Sequence, residues 1–278
     1  NVDLEGSENE RIMEVLWGAR SNGAVAGVWV AVGDPNGPGS DSHIYRSTDG
    51  GANWSSVELS GLTDHATGEF INGVATDGTG KWMFALDDRI YYSTDDAASF
   101  AVSTPFAGME DIPTRVQNIV FTNNSWVLCY NSNTDGSGAV YFRSCASSDI
   151  TDWTATAIGG RHTATDMTNH TSNGLNVKMA AAAGRVCAIS EGDDDLNFFD
   201  VNGKTISNLT KVDISMGGDK AKDIATDGST WMIVCTDGDI HESTDNGASW
   251  TQTVDGLQVD GSNTLDLESV TCDVILPL

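Results

Sequence analysis

The chain has 278 residues, with 14 Lys and Arg against 40 Asp and Glu, a formal net charge of −26. A field of that sign repels phosphate backbones and anionic lipid headgroups, which excludes nucleic-acid binding as a function class. No apolar run approaches the roughly 20 residues that a membrane-spanning helix needs, so no membrane insertion is expected.

In chain order, the sequence breaks into short alternating runs that read as β-strands, punctuated by Asp-Gly and Asn-containing turns. Thirty Gly against five Pro fit many tight turns. One four-strand unit reads Gly73-Val-Ala-Thr, Lys81-Trp-Met-Phe-Ala-Leu, Arg89-Ile-Tyr-Tyr-Ser and Ala101-Val-Ser. A matching unit reads Asp223-Ile-Ala-Thr, Trp231-Met-Ile-Val-Cys, Asp239-Ile-His-Glu-Ser and Thr251-Gln-Thr-Val. The same frame predicts units over about 12–59, 72–103, 116–158, 175–214 and 222–254. Their second strands start at Trp29, Trp82, Trp126, Arg185 and Trp231, recurring every 44 to 59 residues. That period belongs to propeller blades of four strands. The expected fold class is therefore all-β, a five-bladed β-propeller of four-stranded antiparallel blades, as a single domain over 1–278. The run 267–276 reads as a closing strand that pairs with the first blade and removes an exposed edge.

Three segments between expected third and fourth strands repeat: Ser47-Thr-Asp-Gly-Gly-Ala-Asn-Trp54, Ser93-Thr-Asp-Asp-Ala-Ala-Ser-Phe100 and Ser243-Thr-Asp-Asn-Gly-Ala-Ser-Trp250. A fourth copy, Ser147-Ser-Asp-Ile-Thr-Asp-Trp153, is one residue shorter. The expected roles are structural. Ser47, Ser93 and Ser243, with Asp49, Asp95, Asp149 and Asp245, accept backbone N–H groups inside a tight turn, while Gly51 and Gly247 permit positive φ. The aromatics Trp54, Phe100, Trp153 and Trp250 then pack between neighbouring blades.

The repeat resembles the Asp-box, S-x-D-x-G-x-[ST]-W, of sialidases and many other propellers. Ala97 stands at the glycine place of the second copy, and Asn53 at the Ser/Thr place of the first. Sialidase resemblance would imply three arginines gripping a substrate carboxylate, a Tyr–Glu nucleophile pair and an acidic Asp. The chain departs from that pattern. Arg11-Ile-Met stands where an Arg-Ile-Pro stretch is usual, Ile112-Pro-Thr-Arg115 has the wrong order, and Arg46, Arg89 and Arg143 occupy or border third strands. Sialidases also have six blades. No catalytic residues are assigned.

Short turns fall on one face of such a ring, and long irregular connections on the other. The long-loop face is the candidate binding face, because functional loops sit on rigid scaffolds. Its oxygen-bearing candidates are Asp34, Asp41, Asn131, Asn133, Asp135, Asp193, Asp194 and Asp195. Asn131-x-Asn133-x-Asp135-Gly136 matches the opening of a calcium loop, but Phe142 stands where the bidentate Glu belongs. The alternatives are a calcium site and a plain Asn/Asp/Gly turn; no other cofactor is expected. His162 and His170 lack zinc spacing, and the five cysteines form no ligand pattern. Cys129, Cys187 and Cys235 recur at one strand position and read as buried thiols. Glycoside hydrolysis would need two carboxylates facing each other in the central channel. Glu14, Asp77, Asp223 and Glu268 fall in or beside first strands, with no pair singled out.

The acidic, Lys-poor composition, with turns rich in Ser, Thr, Asn and Gly, is similar to that of structural and appendage proteins of environmental phages. The expected function is a non-enzymatic binding or assembly module. It would be a tail or surface component, virion-borne or extracellular, contacting host glycans or neighbouring virion proteins. A secreted glycoside hydrolase or lectin, and an Asp-box assembly factor, are the alternatives.

Overall fold

The computed structural model describes residues 11–21, 27–34, 43–57, 71–86, 89–103, 113–132, 140–151, 153, 162–163, 177–190, 195–214, 220–257, 267 and 269–271. They form five antiparallel sheets of four strands each, arranged in a ring as a five-bladed β-propeller. The first blade comprises β1 (Arg11–Gly18), β2 (Val28–Asp34), β3 (His43–Ser47) and β4 (Ser55–Val57). The second has β5 (Ile71–Thr76), β6 (Trp82–Leu86), β7 (Ile90–Ser93) and β8 (Ala101–Ser103). The third has β9 (Pro113–Thr122), β10 (Ser125–Ser132), β11 (Val140–Ala146) and β12 (His162–Thr163). The fourth has β13 (Val177–Ala182), β14 (Arg185–Ser190), β15 (Asp195–Asn202) and β16 (Thr205–Asp213). The fifth has β17 (Ala221–Thr226), β18 (Trp231–Cys235), β19 (Ile240–Ser243) and β20 (Thr251–Val254). Among the described residues the only helical element is a 3-10 turn at Thr236–Gly238. The third blade's last strand lies beyond the expected limit at 158, after the shortened turn ending at Trp153.

Blades stack face to face, so their middle strands are covered on both sides and read as continuous apolar runs. In β6, Trp82-Met-Phe-Ala-Leu is buried at every position. The outermost strands splay toward solvent, and β8 and β20 are mostly exposed. Four apolar clusters join first to second, second to third, third to fourth and fourth to fifth blades. The second-strand tryptophans anchor three of them: Trp82, Trp126 and Trp231 each pack toward the preceding blade and are essentially inaccessible. Cys129, Cys145, Cys187 and Cys235 are buried thiols, and burial pushes the Cys129 thiol far above its ordinary range.

The repeated turns fasten themselves with one pattern. Ser47 Oγ donates to Asp49 Oδ1 at 2.8 Å and accepts the Gly51 N–H at 3.0 Å, while Asp49 Oδ1 accepts the Asn53 N–H at 2.9 Å. Ser93 and Asp95 repeat this with Ala97 and Ser99, and Ser243 and Asp245 with Gly247 and Ser249. Gly247, at φ +84°, could hold no Cβ, which would collide with the Phe198 ring of the preceding blade. Ala97 takes the same left-handed conformation, at φ +58°. In the shortened copy, Asp149 Oδ1 accepts from Thr151 Oγ1 at 3.0 Å instead.

These bonds hold the Asp49 carboxyl near 2, chiefly through the Asn53 N–H, and Asp245 near 2, chiefly through the Ser249 hydroxyl. A depressed carboxyl stabilises the fold above its ordinary value of 3.8, and that contribution is lost as pH falls toward 2. Replacing buried Ser93 by Ala leaves the buried Ala97 N–H without its acceptor. The expected cost is about 1–3 kcal/mol, read by urea unfolding.

Of the four turn aromatics, only Trp153 is fully buried, with its Nε1 donating to Ser103 Oγ of the second blade at 3.0 Å. Trp54, Phe100 and Trp250 are only half-buried, although Phe100 and Trp250 pack against the clusters that join their blades to the preceding ones. They sit where the outer strand begins and the blades diverge. Phe100 meets Phe84 edge-on at 5.0 Å, and Trp250 lies 6.4 Å from Phe198.

Of the expected closing strand over 267–276, Leu267 and Ser269–Thr271 carry no strand, and residues 268 and 272–276 lie outside the described residues.

Candidate functional site

The long-loop candidates resolve unevenly. Asp41, Asn133, Asp135, Asp193 and Asp194 lie outside the described residues, as do the side chains of Asp34, at the end of β2, and Asp195, at the start of β15. Asn131 is not a loop oxygen. It is buried within β10, and its Oδ1 accepts from Gln117 Nε2 at 2.6 Å. Gln117 continues inward, accepting the Val177 N–H of the next blade at 3.4 Å. The first oxygen of the calcium-like spacing is thus engaged in a bond between adjacent strands of its own blade. Among the described residues no group of three or more His, Cys, Asp and Glu is placed to hold a metal ion.

The structure instead brings chemistry together on the ring axis. A cavity of about 480 Å³ is lined by all five inner strands, β1, β5, β9, β13 and β17, and by Ser269–Thr271. Glu14, Asn118, Lys178 and Asp223 are among its polar lining residues, with Thr76, Ser269 and Thr271. Register explains the convergence. Trp17, Thr76, Phe121, Ala182 and Thr226 stand opposite the second-strand starts Trp29, Trp82, Trp126, Arg185 and Trp231. Three residues upstream of each lies one equivalent inner position, occupied by Glu14, Gly73, Asn118, Met179 and Asp223. On β1 and β17 a bulge immediately precedes it, turning Glu14 and Asp223 onto the face they use. Gly73 lets two inner strands meet, since a Cβ there would lie 3.2 Å from Asn118 Cα.

Glu14 Oε2 accepts the Val74 N–H at 3.2 Å. Burial pushes its carboxyl up to about 7; the Lys178 ammonium opposes this and the Asp223 carboxylate adds to it. Asp223 is anchored at both oxygens, with Oδ1 accepting the Ile224 N–H at 2.9 Å and Oδ2 the Val270 N–H at 3.0 Å. Near neutrality the cavity thus offers a carboxyl able to donate or accept, an ammonium, a carboxylate and an amide. Sequence reading placed Glu14 and Asp223 on first strands without pairing them and missed Lys178. Counting inner residues back from the partner of each second-strand start finds Glu14, Asn118 and Asp223 but gives Met179 on β13, so no positional signal pointed to Lys178.

Fold and site together define a five-bladed β-propeller with a polar axial cavity. No protein-family model matches the chain, and no curated protein is similar to it in sequence. Solved structures are similar in fold. The α-L-arabinanase of Penicillium chrysogenum, complexed with arabinobiose, superposes with a TM-score of 0.51 at 14% identity, covering 88% of this chain and 86% of that one. The α-L-arabinofuranosidase Arb93A of Fusarium graminearum, bound to an iminosugar inhibitor, gives 0.50 at 12% identity over 99% and 87%. YCF48 of Cyanidioschyzon merolae gives 0.48 at 15% identity over 81% and 68%.

Proposed function

We propose that this chain is a non-enzymatic binding module that takes a neutral, hydroxyl-rich ligand, a glycan unit, into its axial cavity. The observation that carries the reading is the convergence of Glu14, Lys178 and Asp223 from three inner strands on one space of about 480 Å³. That volume falls in the usual range for small-molecule sites. Mixed donors and acceptors suit hydroxyl groups, while a net charge of −26 disfavours anions. The self-fastened Ser-x-Asp turns support an Asp-box scaffold, and the acidic, Lys-poor composition supports a virion tail or surface component, or an extracellular one.

A glycoside hydrolase is the second reading, favoured by one observation: a carboxyl held near 7 beside a second acid. Against it, both oxygens of Asp223 already accept backbone N–H groups, which makes this acid a fastener between β17 and the chain's last segment. Titration calorimetry with a panel of neutral oligosaccharides, arabinobiose included, tests the proposal beside fluorogenic glycosides. The expected result is saturable binding without turnover, weakened at least tenfold by Lys178→Met or Asn118→Ala. Turnover abolished by Glu14→Gln, or silence across the panel, overturns it.

A further inference from the structure

On β1, Leu16 packs against the cluster that joins the first blade to the second. Side chains alternate along a strand, so Val15 and Trp17 lie on the other face of the blade. Both are exposed, at 48% and 40%. At the ring level of Trp17 the other inner strands carry Thr76, Phe121, Ala182 and Thr226. Phe121 is half-buried there and packs on Trp126, 4.7 Å between ring centroids, in the joint between the second and third blades. Trp17 belongs to no apolar cluster of described residues. It is held on its own blade instead. Gly27 has a φ of +58°, and a Cβ there would collide with Nε1, Cε2 and Cζ2 of Trp17, so the indole rests directly on the Gly27 backbone. Arg20 braces the same place, with Nε donating to Gly27 O at 3.2 Å and Nη2 to Thr48 O at 2.9 Å.

We propose that Trp17 is a stacking platform for a sugar ring, a second subsite beside the axial cavity, so that the ligand is a neutral oligosaccharide longer than one unit. The C–H face of a sugar ring is apolar and weakly positive, which suits the electron-rich face of an indole. An indole already pinned to a backbone loses little freedom when a ring settles on it. The Arg20 guanidinium, bonded to the residue that backs the indole, is a donor for ring hydroxyls. That cation speaks against a cationic ligand, and the net charge of −26 against an anionic one. The platform is also within reach of the cavity. Val15 lines the cavity and stands two residues, about 7 Å, from Trp17 on the same face of β1. The ligand class rests on the glycan reading of the cavity; the platform geometry does not.

The test is titration calorimetry with cello-, xylo- and manno-oligosaccharides of one to six units. Affinity is expected to rise at least tenfold from the single sugar to the longer chains of the preferred series. Trp17→Ala is expected to abolish that gain, and Trp17→Phe to keep part of it, with the urea midpoint of the latter unchanged. Gly27→Ala, which keeps the indole but lifts it from its backing, is expected to weaken the same longer chains. A second readout uses the unaltered protein. The nitrogen-15 indole N–H signal of Trp17, identified by its absence in Trp17→Phe, is expected to shift when the longer chains bind. Longer-chain affinity that survives Trp17→Ala, or an indole signal that stays in place at saturation, overturns the platform. Weakening by Lys178→Met but not by Trp17→Ala overturns the platform alone. Weakening by Trp17→Ala but not by Lys178→Met upholds the platform and overturns the cavity reading. Silence toward every series overturns both.

Discussion

Trp126→Ala is expected to destabilise the protein by about 3–5 kcal/mol in urea unfolding, the range for emptying a large buried aromatic site. Trp126 is inaccessible, sits in the cluster between the second and third blades, and contacts Phe121 at 4.7 Å between ring centroids. Its neighbours lie on rigid strands that cannot collapse into the void. Trp250→Ala is expected to cost clearly less, because that ring is half-buried at the blade rim. Equal losses for the two variants would show that the second-strand tryptophans are not the principal anchors.

The second large effect is a pH-dependent gain. Glu14 ionises near 4.5 in the unfolded chain and near 7 in the fold. Between those values the folded state holds a proton that the unfolded state has released, so stability falls as pH rises through the window. A shift of that size corresponds to at most about 3 kcal/mol, reduced where cavity water solvates the carboxylate. Glu14→Gln removes the ionisation. The variant is therefore expected to match the parent near pH 4.5 and to exceed it increasingly up to pH 8. His241, whose pKa burial lowers, contributes with the opposite sign but is common to both proteins and cancels in the comparison. A difference that does not change between pH 5 and pH 8 would contradict the placement of Glu14.

What was legible in the sequence was local. Ser47, Asp49 and Gly51 act within five residues of each other, so spacing alone exposes their turn. The tryptophan period likewise marks strands that pair with sequence neighbours. The axial site was hidden because Glu14 and Asp223 meet only when strands from opposite ends of the chain complete a ring. Asn131 misled for a related reason: a calcium-like spacing is read along the chain, whereas its partner Gln117 comes from the adjacent strand. The half-burial of Trp54 and Trp250 depends on how far blades diverge at their outer edge, a property of the whole ring that no motif encodes.

Every register among the described residues joins strands that follow one another in the chain, and no described blade borrows a strand from another. This topology separates two steps of folding. Strand pairing closes only short loops, at low entropic cost, so each blade can form as a hairpin series. Joining the blades is the non-local event, made by side-chain packing and by bonds such as Lys81 Nζ to Ser147 O at 2.7 Å and Gly203 N–H to Ser125 Oγ at 2.8 Å. Docking is then the late step of assembly. Substitutions at the joints act mainly by speeding dissociation of the ring, and substitutions in the hairpin turns act by slowing its formation.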